Sequence, residues 1–503
     1  MDKKTPYFVP NEIAQVTAAL KKAGFQAYLV GGCVRDLIIG KKPKDWDVTT
    51  NATPEQVIAL FPKTFYENAY GTVGVVNEEL PAGKDGEPDK TLHIVEVTPY
   101  RLEAAYSDHR RPDAVTFSPN LEDDLKRRDF TINAIALDFD ASSGAETIID
   151  PYGGREDLKN KLIRAVGKPE DRFTEDALRI MRAVRLSAEL GFLIEKETEE
   201  AIKKTSHLLQ KIAIERIRDE FCRMLLADKP SQGIKMAQKL GILKYIAPEL
   251  EEGIGIEQNQ AHSFDVWTHL LKSLDHAADK DWSLEIRLSA LFHDVGKPAT
   301  RRKSEEKGDW TFYGHEVVGA RMTKKILERL KFPKKTTEKV TTMVRWHMFF
   351  SDTEKITLSA VRRIVRNVGP ENIWDLMNLR ICDRVGTGRP KENPYRLRKY
   401  KSMIEEALRA PISVAMLKID GTRMIEILGI SPGPKIGHIL HALLEETLND
   451  PDLNTAEYLE KRAAEMALLS DAELKKLGEQ GRATRESADE EEKGTIRKKY
   501  HVE

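Results

Sequence analysis

Two aspartates one residue apart, Asp45 and Asp47, follow a glycine pair, Gly31 and Gly32, and an arginine, Arg35, in the run YLVGGCVRDLIIGKKPKDWDV at residues 28–48. Side chains alternate faces along a strand, so both carboxylates project from one side. Two carboxylates at that spacing can hold a divalent metal between them. Glycines, lacking a Cβ, let backbone N–H groups close on a phosphate. Metal carboxylates beside a phosphate cradle point to chemistry on a nucleoside triphosphate. Taken singly, each part is ordinary: a Gly-Gly is usually a turn, and an Asp-x-Asp usually a solvated cap. Their order is less so. The apolar run 27–30 predicts a strand, the glycines its turn, 34–39 the start of a helix, and 42–44 a return to a second strand that carries the aspartates.

Further acids and arginines extend this set. Glu96 alternates with Val95 and Val97 on a predicted strand at 92–98; it either faces solvent or completes a two-metal site as a third carboxylate. The run LEDDLKRRDFTINAIALD (121–138) brings Arg127, Arg128, Asp129 and Asn133 before and into a strand-like stretch at 131–138. Arginine forks suit phosphate and sugar oxygens. In RFTEDALRIMRAVR (172–185), Asp176, Arg179 and Arg182 fall on one face of a predicted helix over 175–190. Such a pair is commonly an exposed salt bridge of small energy, but a fixed carboxylate and guanidinium can also read a base edge without a nucleic-acid template. A separate set follows: His269, the adjacent His293 and Asp294 with Gly296-Lys297-Pro298 behind them, His315, His347 and Asp383. Imidazoles and carboxylates together suit a divalent metal that polarises a phosphoester.

At 503 residues the chain exceeds the ~250–300 residues a single core usually reaches, so several domains are expected. Charged residues are 32% and hydrophobic ones 40%, with mean hydropathy −0.47, the profile of a soluble globular protein. No apolar run approaches the ~20 residues of a membrane span, no signal-peptide pattern precedes Asn11, and the three cysteines are scattered; a reducing cytoplasm and no membrane are therefore expected. Cys33 reads as a small packing residue. Net charge is −1, yet basic residues gather at 324–335, 362–366 and 396–401, clusters that either wet helix faces or track a nucleic-acid backbone. Short β-type runs with turns fill the first 150 residues. From about Asp171 the spacing of apolar residues is helical almost throughout, 414–448 has core residues of its own, and the charge-rich end from about Asp471 reads as a solvated tail.

The stretches GGCVRD with DWD, RRDFTINAIALD, DPYGGREDL, EDALRIMRAVR and IERIRDEF resemble, in order, those of class II tRNA nucleotidyltransferases (CCA-adding enzymes), the family that includes bacterial poly(A) polymerases, within the superfamily of DNA polymerase beta. ILGISPGPKIGHILHALLEETLNDPDLNTAEYL resembles the family's C-terminal segment, and the ordered His, His-Asp, His, His, Asp set is similar to an HD-type phosphohydrolase domain. The resemblance implies an α+β multidomain fold: a polymerase-beta-like α/β nucleotidyltransferase head (1–165), an all-helical neck for nucleotide recognition and RNA binding (166–245), an HD body (246–400), a helical tRNA-binding segment (401–470) and a charged tail (471–503). It implies that Asp45 and Asp47 bind catalytic Mg2+, with Glu96 a candidate third ligand although VEVTPYR departs from the family wording at Pro99. Gly31, Gly32 and Arg35 would bind the triphosphate, Arg128, Asp129 and Asn133 the sugar and phosphates, and Asp176 and Arg179, with Arg182 on the same face, would select CTP and ATP. Glu215 and Arg216 match a helix-stabilising motif. His269, His293, Asp294 and Asp383 would form the core of a divalent metal site of unspecified metal, with His315 and His347 as further ligands. The expected reaction is addition of C, C and A to a tRNA 3′ end. Poly(A) synthesis, A-only or CC-only addition, and a phosphohydrolase or nucleotide sensor whose head only binds are the alternatives. Residues 99–112 are a candidate moving element that decides when C gives way to A.

Overall fold

The structure is a computed structural model that describes all residues except 1–6, 67–70, 82–86, 104–114, 141–143, 260–262, 306–307, 349–355, 390, 409–416, 450, 471–472, 475, 477–497 and 502–503. Most of the candidate moving element at 99–112 and of the charged tail therefore lies outside the described residues. The chain forms two units, Met1–Arg345 with Cys382–Gly388, and Trp346–Ile381 with Arg389–Glu503.

The first unit opens with α1 (Asn11–Lys22), β1 (Ala27–Val30), α2 (Gly32–Ile38), β2 (Trp46–Thr50), α3 (Pro54–Leu60), β3 (Thr64–Tyr66), β4 (Val73–Val76), β5 (Ile94–Pro99), the hairpin β6 (Arg101–Glu103) and β7 (Val115–Phe117), α4 (Leu121–Lys126), β8 (Ala136–Phe139), β9 (Glu146–Ile149) and α5 (Gly154–Lys159). Seven of these strands make one mixed sheet in the order β3-β4-β5-β2-β1-β8-β9. Its one parallel pairing, β2 with β5, sets Asp47 opposite Glu96 and Val48 opposite Val97. Register partners point to the same face, so Trp46, Val48, Val95 and Val97 enter the core while Asp47 and Glu96 share the other side. Local chemistry marks the ends: Thr53 and Gln56 form a capping box at α3 with Pro54 in its first turn.

Helices follow: after β10 (Leu162–Ile163) come α6 (Pro169–Glu175) and α7 (Leu178–Leu190), then β11 (Leu193–Ile194), α8 (Lys196–Thr205), α9 (Ile214–Leu225) and α10 (Pro230–Lys239). Next are α11 (Val266–Asp279), α12 (Leu284–Phe292), α13 (Lys297–Thr300), the short pair β12 (Arg302–Lys303) and β13 (Trp310–Thr311), α14 (His315–Arg329) and α15 (Lys334–Trp346). Carboxylates begin two of them, Glu195 accepting from Thr198 N–H and Asp265 from Thr268 N–H. One apolar cluster runs through sheet and helices from Val9 to Val344. Two expectations change here. The helix predicted over 175–190 is broken at Asp176, whose backbone is extended (φ −135°, ψ 102°). The strand predicted over 131–138 begins with a 3-10 turn at Thr131–Asn133, and pairing starts only at Ala136.

The remaining helices are α16 (Leu358–Val368), α17 (Ile373–Gly386), α18 (Tyr395–Leu408), α19 (Gly421–Leu428), α20 (Pro434–Asn449) and α21 (Ala456–Ala467). Within the second unit, α19 to α21 pack around a core of their own that includes Met424, Ile439, Leu443 and Leu459. Among the described residues no helix is long and apolar enough to cross a membrane.

The last turn of α17 belongs to the first unit and approaches α11 where Gly386 has no side chain. A Cβ there would stand 2.1 Å from Ser273 Oγ and 2.9 Å from the His269 carbonyl oxygen. Gly386→Ala would gain about 1 kcal/mol of helix propensity but force overlap with buried atoms at a cost of about 1–3 kcal/mol. Net destabilisation, read as a lower denaturant midpoint at unchanged slope, is the expected outcome.

Candidate functional sites

Gly31 ends β1 with φ +81° and precedes the first turn of α2. A Cβ at this position would lie 3.0 Å from Asp47 Oδ2 and 3.1 Å from Arg128 Nη1; one at Gly32 would lie 3.7 Å from Arg35 Nη2 and 3.9 Å from Asp45 Oδ1. The glycine turn therefore sits against two carboxylates and two guanidinium groups that come from three separate places in the chain. Asp45 is exposed just before β2, Asp47 is half-buried within it, and half-buried Glu96 stands beside Asp47 in register. The pattern of an acid between valines left two readings of Glu96 open; the parallel register puts it on the aspartate face. Asp45, Asp47 and Glu96 still form no close cluster of three ligand atoms among the described residues. Cys33 is fully buried, and burial followed by Asp47 pushes its thiol up to about 12, in keeping with a packing role.

A hydrogen-bonded chain ties this turn to α7. Arg35 Nη1 donates to Asn133 Oδ1 (3.0 Å), Asn133 Nδ2 to Asp129 Oδ1 (3.1 Å), and Arg182 Nε to Asp129 Oδ2 (2.7 Å). Asp129 also accepts from the Phe130 N–H at 2.8 Å. Burial alone would raise its carboxyl, but Arg182 and Asn133 outweigh burial and hold it well below the usual carboxylate range. Arg182 thereby links α7 to Asp129, which follows α4.

The expected pairing of Asp176 with Arg179 is not formed. Asp176 accepts from the Leu178 N–H (3.0 Å) and from Arg216 Nη2 (3.1 Å) on α9. Arg179 donates to Glu175 Oε2 (2.7 Å) and to the Arg127 carbonyl (2.8 Å). An aspartate that bonds the backbone two residues on competes with helical geometry, in keeping with the break between α6 and α7. Arg216 thus joins α9 to the break at Asp176, and Glu215 meets Lys331 Nζ at 2.6 Å on the surface. Spacing gave no notice of Glu175 as the partner of Arg179.

The second constellation is buried. His269 and His293 face each other with Nε2 atoms 2.9 Å apart, and His269 Nε2 lies 3.1 Å from Asp294 Oδ2 and 3.4 Å from Asp383 Oδ1. Ligand atoms of His269, His293, Asp294 and Asp383 all fall within 4.8 Å of one another. His315 Nε2 adds a contact to Asp294 Oδ1 at 3.2 Å, its Nδ1 meeting the Phe312 carbonyl. Two imidazoles and two carboxylates converging in a buried pocket are a donor set that fits a divalent metal, and the outward bond from His293 Nδ1 to the Ala290 carbonyl (2.9 Å) orients that ring as a ligand's would be. Burial would lower the His293 pKa, but Asp294 and Asp383 raise it to about 9. His347 is buried and follows α15 at the start of the second unit. Lys297 in HDVGKP closes on the cluster: its Nζ lies 2.6 Å from Asp294 Oδ2 and donates to buried Gln258 Oε1. Burial would raise Asp294, yet Lys297 and His293 hold it well below the usual range.

Residues 27–164 match a family model described as the poly A polymerase head domain, 191–254 one described as the probable RNA and SrmB-binding site of polymerase A, and 261–386 the HD domain. A CCA-adding enzyme of Lactobacillus helveticus is 32% identical over 467 residues, covering 92% of this chain and 98% of that one. An A-adding tRNA nucleotidyltransferase of Deinococcus radiodurans is 33% identical over 430 residues, 83% of this chain and 91% of the relative. The crystal structure of the Bacillus stearothermophilus CCA-adding enzyme in complex with CTP aligns with TM-score 0.61 at 29% identity, over 92% of this chain and 98% of that one. Nucleotidyltransferase and HD domains generally use divalent metals.

Titration of the metal-stripped protein with Mn2+, Co2+ or Ni2+ should raise its melting temperature through the His269–Asp294 cluster. His269→Ala and Asp294→Ala should each abolish that rise for at least one of these metals, while Asp47→Asn should leave it in place.

Proposed function

Because the chain belongs to the tRNA nucleotidyltransferase/poly(A) polymerase family of CCA-adding enzymes, we propose that it adds C, C and A in turn to tRNA 3′ ends from CTP and ATP. The observation that carries the site assignment is the turn at Gly31, with Asp47 and Arg128 each about 3 Å from where a side chain would begin. In this reading the backbone N–H groups at Gly31 and Gly32, with Arg35 and Arg128, hold the triphosphate. Asp45 and Asp47 hold Mg2+, with Glu96 beside Asp47 as a third ligand. Bound there, the metal supplies activation of the terminal hydroxyl and neutralises charge on the leaving pyrophosphate. The 3′ oxygen forms a bond to the α-phosphorus, the bond from that phosphorus to the α–β bridging oxygen breaks to release pyrophosphate, and the hydroxyl proton passes to solvent. Asp176 and Arg179 offer a carboxylate and a guanidinium at the break between α6 and α7 for the base edge, while Asp129, Asn133 and Arg182 position Arg35.

The domain limits proposed are head 1–165, neck 166–245, HD body 246–400, tRNA-binding segment 401–470 and tail 471–503, with the work done in the cytoplasm. Shape and phosphates, rather than base edges, are how duplex RNA arms are usually held. The HD cluster carries a second proposed activity, hydrolysis of phosphoesters at RNA ends or on nucleotides, with His315 and His347 as further ligands or phosphate contacts. The buried set of His269, His293, Asp294 and Asp383 supports it.

Purified protein incubated with tRNAs ending before CCA, after C and after CC should complete each to CCA and stop. Addition of A alone to the CC end, with no use of CTP, would favour the A-adding activity named for one relative; long A tracts on unrelated RNA would favour poly(A) synthesis. Asp45→Ala with Asp47→Ala should lower transfer by at least about a thousandfold. Asp294→Ala should spare transfer and abolish any metal-dependent phosphoester hydrolysis.

A further inference from the structure

In the run LEDDLKRRDFTIN, one acid has no exposed surface: Asp124, on α4, is 0% accessible. A carboxylate tolerates such burial only when it is fully paired. Asp124 Oδ1 accepts from Arg127 Nε (2.9 Å) and Nη2 (2.5 Å), and Oδ2 from Arg128 Nε (3.3 Å) and Nη2 (3.0 Å). Burial would raise its carboxyl, but the two arginines outweigh burial and keep it ionised.

The geometry has a consequence for Arg128. A guanidinium is planar with its donors in a fixed fork, so engaging Nε and Nη2 from one side sets the direction of Nη1. That atom is the one 3.1 Å from the Cβ position at Gly31, where Asp47 Oδ2 stands at 3.0 Å. The other oxygen of Asp124 fixes Arg127, whose carbonyl receives Arg179 Nη2 at 2.8 Å. One buried carboxylate therefore stands behind both the arginine at the glycine turn and the main chain on which Arg179 rests.

We propose that Asp124 is a positioning residue for nucleotidyl transfer: it aims Arg128 across the Gly31 turn at the phosphate oxygens of the incoming nucleoside triphosphate, and acts on the nucleotide through that arginine without touching it. The proposal rests on the reading of the turn as the triphosphate site. Phosphate oxygens are common to CTP and ATP, so a misaimed Arg128 weakens both alike. A brace that served only folding would reduce the amount of active protein and leave KM where it was.

The test is a double-mutant cycle with Asp124→Asn, Arg128→Ala and their combination, measured as kcat and KM for CTP on tRNA lacking CCA and for ATP on tRNA ending in CC, with Asp47→Asn alongside. Asp124→Asn is expected to raise KM for both nucleotides about tenfold, and the double variant to fall well short of the product of the single losses, by about threefold or more. Unchanged KM values in Asp124→Asn, or losses that multiply, would overturn the proposal. If Asp124→Asn does not yield folded protein, the same cycle with Asp124→Glu, which keeps the charge and shifts the fork by one methylene, decides by the same criteria. Full transfer activity in Asp47→Asn would instead remove the reading of the turn itself.

Discussion

Residue 31 favours glycine. The left-handed backbone there, φ +81°, strains any other residue, and Asp47 and Arg128, about 3 Å from the Cβ position, would have to give way to a side chain. The crowding joins parts of the chain remote in sequence: the end of β1, the acid on β2, and the arginine that follows α4. β2 and β5 then bring Glu96 to the same face, and α2 brings Arg35. What converges is a set of opposite charges around an open main-chain turn, the arrangement a triphosphate with divalent metal requires.

The neck is bound to this turn by charge as well as by apolar packing. Arg182 reaches Asp129, Asp129 holds Asn133, and Asn133 receives Arg35. Removing one member of such a buried chain leaves its partner unsatisfied, which costs more than the bond itself contributes. α7, which carries Arg179 and follows Asp176, is thereby tied to the residues proposed to hold phosphate. The HD cluster is built differently, from atoms that would repel without a proton or a cation between them: two imidazole nitrogens at 2.9 Å beside two carboxylates. Gly386, admitting α17 against α11, is what brings Asp383 to that cluster.

Period-two spacing was enough to expect Asp45 and Asp47 together, and both border the glycine pair; the run of histidines and aspartates was enough to anticipate the buried cluster, because local order carries both. The mixed head and the helical body were legible in the same way, through alternation and three- or four-residue spacing. Glu96 was ambiguous because its neighbour is set by strand pairing across nearly fifty residues. The helix break at Asp176 was hidden because three-residue spacing persists on paper across it and no proline or glycine announces it; Arg216, forty residues on, bonds Asp176 there. The 3-10 turn at Thr131–Asn133 hid within an apolar run. Asp124 and Lys297 had no signal beyond their place in charged or motif-like runs, since their importance lies in the groups that meet them in the fold.

The central claim, that phosphate binds over the turn at residue 31, is tested most directly by Gly31→Ala in single-turnover transfer of CMP to tRNA lacking CCA. A methyl group there occupies the space between Asp47 and Arg128, so the account predicts a loss of about a hundredfold or more in rate at subsaturating CTP, with the metal-dependent rise in melting temperature at the HD cluster preserved. Wild-type transfer by Gly31→Ala, with that thermal response intact, would contradict it.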